Sequence, residues 1–186
     1  MFPLVSDETR LRMARGLVEA IGMGTYALGA LAGLRYLRFL GLRSVAAGAL
    51  ARGDLKTADE LARELLALAV EFRSDWNYGN AVHHGHTILG LLALKRNQRS
   101  QAIVHLHESG RIPGSPQLRS FGPSMVLAEE LLNLHETRAV MEYFRLCRKF
   151  WTGKGISSVR GEHPLDEWER TVRAGNKPDF GPNLAY

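Results

Sequence analysis

Three short turns carry the strongest constraint in this sequence: Gly53-Asp54, Asn97-Gln98 and His135-Glu136. A small residue stands seven positions before each turn, at Ala46, Gly90 and Ala128. A small or apolar residue stands five positions after each turn begins, at Ala58, Ala102 and Val140. Two helices joined by a tight turn approach closely only where the side chains at their crossing are small. The pattern therefore predicts a helix pair that recurs along the chain.

Apolar periodicity supports helices on both sides of these turns. Leu55, Ala58, Leu61, Ala62, Leu65, Leu66 and Ala69 form one stripe at three- and four-residue spacing. The same reasoning predicts helices over about 54–72, 77–95, 99–109, 123–134 and 137–151, with a weaker one over 165–174. Ile112-Pro113-Gly114-Ser115-Pro116 reads as an obligatory loop, and the tail from Lys177 to Pro182 as irregular. No run alternates polar and apolar residues as a half-buried strand would. The chain is expected to be all-α. Its 186 residues suffice for one sizeable core. With 45% hydrophobic and 23% charged residues it is not a disordered sequence. The single Cys147 excludes an internal disulfide framework and a cysteine-rich zinc site.

The first 41 residues form a separate problem. Residues 6–21 read as a helix capped by Ser6, with a break expected at Gly22-Met23-Gly24 and a second helix over 25–40 before Gly41. Ala20 to Leu34 carries no charge and imitates a signal peptide, with Ala30-Leu31-Ala32 as a small-residue cleavage site. Glu19, Asp7, Glu8 and the four glycines of the run argue against that, and the run is shorter than the ~20 apolar residues of a membrane span. The reading adopted is a buried helical segment, packed on the rest of the chain or on a second copy. Cytoplasmic location and no membrane association follow as expectations, with homo-oligomerisation through these apolar helices as an option.

Leu89-Gly90 and Gly53-Asp54-Leu55-x-x-Ala58 together resemble the tetratricopeptide repeat (TPR), with Ala102 and Val140 in the matching place of later units. The turns lie 44 and then 38 residues apart, against a family period of about 34. Most of the family's large aromatic positions are unfilled, Phe144 being the best match. The chain thus looks like a degenerate TPR-like member over residues 42–151, similar to small uncharacterised bacterial repeat proteins, with 1–41 and 152–186 as extensions. The resemblance implies antiparallel helix pairs stacked as a short right-handed solenoid, first helices lining a concave face.

The densest polar patch runs from Asp75 to His86. On a helix Asn77, Asn80, His84 and Thr87 share one face, and His83, His86 and Gly90 share another. Amides and a neutral imidazole both donate and accept hydrogen bonds. The first face is therefore the candidate ligand-binding stripe, for a peptide segment or a small polar ligand, roofed by the Gly114–Pro123 loop. Arg43 and Glu129 are the expected flanking charges. No catalytic residue and no cofactor are assigned.

Two rivals come from other classes. A small-molecule or metal-dependent enzyme of a bacterial biosynthetic or stress pathway would use His83, His84 and His86. His83-x-x-His86 offers two imidazoles on one helical face, and a third ligand would have to come from elsewhere, such as Glu129 or His107. Nucleic-acid binding would use the basic clusters near Arg10, Arg35, Lys95 and Arg145. A net charge of +5 permits anionic partners without demanding them. Cys147 falls in phase with an apolar stripe and is expected to be a buried thiol.

Overall fold

The computed structural model describes the backbone of residues 7–151 and 162–184, with side chains from residue 29 onward. Within them it is helical and contains no strand. The α-helices are α1 (Asp7–Ala51), α2 (Leu55–Glu71), α3 (Tyr78–Lys95), α4 (Arg99–Gly110), α5 (Pro116–Phe121), α6 (Val126–Asn133), α7 (Thr137–Cys147) and α8 (Pro164–Arg173). A short 3-10 helix closes the described chain at Gly181–Leu184. Two compact units divide it, residues 1–38 and residues 39–186.

The three turns picked out by sequence share one backbone conformation. Gly53, Asn97 and His135 all take a left-handed φ, of 79°, 57° and 63°. At each, the N–H of the turn residue donates to a carbonyl three positions back: Leu50, Leu94 and Leu132. The next N–H reaches five positions back, to Ala49, Ala93 and Leu131. This pair of bonds is the Schellman closure of a helix. The small residues around the turns are core: Ala46, Ala58, Ala102, Ala128 and Val140 are all fully buried.

Each later helix starts where local chemistry provides a cap. Asp54 accepts from the Thr57 N–H at 3.1 Å, and hydrogen bonding from the Thr57 side chain, then from its N–H, lowers the Asp54 carboxyl pKa. Ser115 accepts from the Leu118 N–H at 3.1 Å, and Pro116 follows in the first turn. These two residues make α5, a helix inside the stretch expected to be loop. His163 accepts from the Leu165 N–H at 3.1 Å and opens α8.

Two clusters form the core of the second unit. One joins Ala46 and Ala49 of α1 to Ala58 and Ala62 of α2 and Ile88, Leu89 and Leu92 of α3. The larger one gathers α4, α6, α7 and α8 around Tyr143, Phe144, Trp151, Trp168 and Phe180. The C-terminal extension is part of this core. Asn183 Nδ2 donates to the carbonyls of Phe121 and Pro123 at 3.1 and 2.8 Å, and its own carbonyl accepts from the Met125 N–H at 2.8 Å. Trp168 Nε1 donates to the Asp179 carbonyl at 3.1 Å.

One expectation for the N-terminal segment is corrected. The breaks at Gly22–Gly24 and at Gly41 are absent, and α1 runs uninterrupted. A glycine inside a helix costs about 1 kcal/mol relative to alanine, which weakens the helix without ending it. Gly53 takes the left-handed φ that closes the helix, and Gly41 does not. Side chains 20–28 lie outside those described; Leu31, Leu34 and Leu37 are 58%, 63% and 65% exposed in the single chain. Among the described residues no helix is long and apolar enough to cross a membrane. The helix expected over 137–151 stops as α7 at Cys147.

Candidate functional site

Helix α3 presents two different faces, as its polar pattern indicates. One face is structural. His83 is fully buried, with Nδ1 3.0 Å from the Ser109 carbonyl oxygen and Nε2 accepting from the Ser124 N–H at 2.9 Å. Because Nε2 accepts, Nδ1 carries the proton and donates. Burial pushes the His83 pKa down to about 4, so the ring is neutral. His86 turns instead toward α4, its Nδ1 3.0 Å from Nδ1 of His105. Burial, and next the His105 charge, push His86 down to about 4.

The two imidazoles of the expected metal pair therefore point to different neighbours. The expected third ligands are also committed. His107 Nε2 lies 3.0 Å from the Ala139 carbonyl oxygen, and Glu129 pairs with Lys177 at 2.9 Å. Among the described residues no group of three or more His, Cys, Asp or Glu side chains is placed to hold a metal ion. Cys147 is fully buried, and burial raises its thiol pKa, so it is not a nucleophile.

The other face of α3 opens onto two cavities. The first, of about 370 Å³, brings together Asn77 at the N-cap of α3, Asn80 and His84 from α3, Arg43 from α1 and Gln117 from α5. Exposed Trp76 and Phe121 flank it. The second, of about 530 Å³, shares Arg43, Ser44 and His84 with the first and adds Thr87 and Ser124. Of the expected site residues, Asn77, Asn80, His84 and Arg43 meet around one cavity, and Thr87 joins His84 and Arg43 at the other. Glu129 lines neither.

Their hydrogen bonds separate them further. Asn80 is a clip: Nδ2 donates to Asn77 Oδ1 at 2.9 Å and to Gln117 Oε1 at 3.0 Å, and Oδ1 accepts from Ser115 Oγ at 2.6 Å. It fastens α5 across the start of α3. Gly79 allows that approach, since a Cβ there would collide with the backbone of Gly114. Thr87 Oγ1 donates to the His83 carbonyl at 2.8 Å and is likewise satisfied.

His84 differs. It is 7% exposed, and among the described residues no hydrogen bond reaches its ring. Its neighbour His83 lies edge-on, ring centroids 5.0 Å apart. Burial, then the charges of His83 and Arg43, hold the His84 pKa well below its ordinary value. A neutral imidazole without a partner, lining both cavities, keeps one donor and one acceptor for whatever enters them.

Sequence reasoning missed Gln117, Ser44 and Ser124. Ser44 had a signal, since Leu40, Ser44, Ala47 and Ala51 follow helical spacing along α1 and all line the cavities. Ser124 had none, because it lies between α5 and α6 and is placed by tertiary folding. No protein-family model matches this chain, and no curated protein and no solved structure matches it.

Proposed function

We propose that this chain is a binding module of TPR-like helical-repeat type, holding a peptide segment or small polar ligand at His84. The observation that carries the reading is His84 itself: more than nine-tenths buried, with no hydrogen bond among the described residues, and lining two cavities. An imidazole at a cavity wall with no hydrogen bond keeps a donor and an acceptor for a ligand. The three matching turns support the repeat reading, and the solenoid arrangement of residues 42–151 is part of the proposal. The cavities are within the ~300–1,000 Å³ range of ligand pockets. Exposed Leu31, Leu34 and Leu37 support self-association through α1 as a further part of it.

A panel of short capped peptides and polar small molecules, titrated calorimetrically against the native protein and His84→Ala, tests the reading. Binding to the native chain and its loss in His84→Ala, with the melting transition nearly unchanged, is the expected outcome. Equal binding by both proteins would remove His84 from the site.

A further inference from the structure

The smaller cavity presents its amides in one fixed orientation, because a single network holds them. Ser115 Oγ accepts from the Leu118 N–H, and its own hydrogen points to Asn80, 2.6 Å away. That separation is an O–H···O length, shorter than N–H···O bonds run, so the atom facing Ser115 is the Asn80 oxygen. Asn80 Nδ2 then points the other way and donates to Asn77 Oδ1 at 2.9 Å and to Gln117 Oε1 at 3.0 Å. Both of those carboxamide oxygens are thereby occupied, which leaves Nδ2 of Asn77 and Nε2 of Gln117 to donate. Neither nitrogen has a hydrogen bond among the described residues. Asn77 and Gln117 line the cavity, as do half-exposed Trp76 and buried His84. The Trp76 indole adds another N–H donor and a flat apolar face. Arg43 also lines the cavity but is already engaged. A peptide group pairs each acceptor with a donor. A set of donors beside an indole face suits instead a planar ring with adjacent acceptors on one edge, as O6 and N7 are on an oxopurine.

We propose that this cavity binds an oxopurine, its ring against Trp76 and its O6 and N7 acceptors on the amide nitrogens of Asn77 and Gln117. The inference rests on the reading of His84 as a ligand-binding residue and narrows it to one ligand class. His84, buried and without a hydrogen bond among the described residues, supplies one further donor or acceptor to the ring. About 370 Å³ is at the lower end of ligand pockets, which suits a two-ring heterocycle.

The test titrates hypoxanthine, adenine, inosine and a short capped peptide into the full chain by calorimetry. Adenine carries an amino donor where hypoxanthine has O6, so hypoxanthine should bind about tenfold more tightly. Two variants check the placement. Gln117→Glu keeps the oxygen that Asn80 holds and replaces the NH2 group by a second acceptor. At this exposed position the melting temperature should be unchanged, and the preference should reverse toward adenine. Trp76→Ala, in neither core cluster, should weaken hypoxanthine binding about tenfold. Inosine binding as tightly as hypoxanthine identifies a base carried on ribose, and hypoxanthine binding alone a free base; both support the proposal. Adenine bound as tightly as hypoxanthine, or an unchanged preference in Gln117→Glu, overturns it. Peptide binding that requires His84, with no purine bound, overturns it and leaves the broader reading standing. If neither class binds, both fall.

Discussion

Nε2 of His83 accepts a hydrogen bond from the backbone N–H of Ser124 at 2.9 Å, joining the middle of α3 to the connection that leads into α6. The same ring serves the Ser109 carbonyl at the end of α4 through its other nitrogen. One neutral imidazole therefore ties three parts of the fold together, and it can do so only while unprotonated.

That bond predicts an acid limit to stability. The folded pKa of His83 is about 4, below the ordinary value of 6.5. Between these values the unfolded chain takes up a proton that the folded chain refuses. The contribution is complete above about pH 6.5 and is lost as pH falls toward about 4, amounting to about 3 kcal/mol. His84 and His86 are depressed as well and add to the same slope. Urea unfolding followed from about pH 7 to about pH 4.5 should show stability falling throughout. His83→Gln should be less stable at neutral pH yet flatter in its dependence, by close to one proton. An equally steep profile for the variant would show that His83 is not the group being titrated.

Gly90 makes the crossing of α3 with its neighbours. A Cβ built there would run into Leu127 Cδ2 and come within 3.3 Å of His105 Cβ. Gly90→Leu should therefore overpack the contact and cost about 1–3 kcal/mol. Thermal unfolding measures it, and an unchanged melting temperature would mean that the helices are not held this close.

What the sequence made legible, and what it did not, follows from the range of the interactions concerned. The turns at Gly53, Asn97 and His135 were readable because a left-handed closure and a small crossing residue leave local marks at fixed spacing. The split of α3 into a His83–His86 face and an Asn77–His84 face was readable for the same reason: helical phase is local. Phase does not reveal partners. Asn77, Asn80 and His84 share a stripe, yet Asn80 is spent on Ser115 and Gln117 while His84 is not. Glu129 was assigned by repeat position and is paired with Lys177, which belongs to the C-terminal extension. The glycines of α1 misled in the other direction. Gly22-Met23-Gly24 and Gly41 read as breaks, yet the helix runs through them and Gly41 takes no left-handed φ.

His135 occupies the left-handed position that Gly53 fills in the first turn, with φ of 63°. A side chain there costs about 1–2 kcal/mol that glycine does not incur, offset in part by the extra freedom glycine brings to the unfolded chain. His135→Gly should therefore stabilise the protein by up to about 1 kcal/mol, while Gly53→Val should destabilise it by more than that. Chemical denaturation of both variants decides the matter. A loss of stability in His135→Gly would show that its imidazole contributes more than the strained backbone costs.

Leu31, Leu34 and Leu37 recur every three residues along α1 and are all more than half exposed. Three leucines in such a row form a stripe that water solvates poorly, and a second copy of the same helix is the simplest surface able to cover it. The protein should therefore associate as its concentration rises, and light scattering coupled to size-exclusion chromatography should show a mass that grows with loading. Replacing the three leucines together with lysine should return the chain to its monomer mass without lowering its melting temperature, because none of the three sits in a core cluster. If native and substituted chains elute with the same mass at every concentration, these leucines do not mediate association.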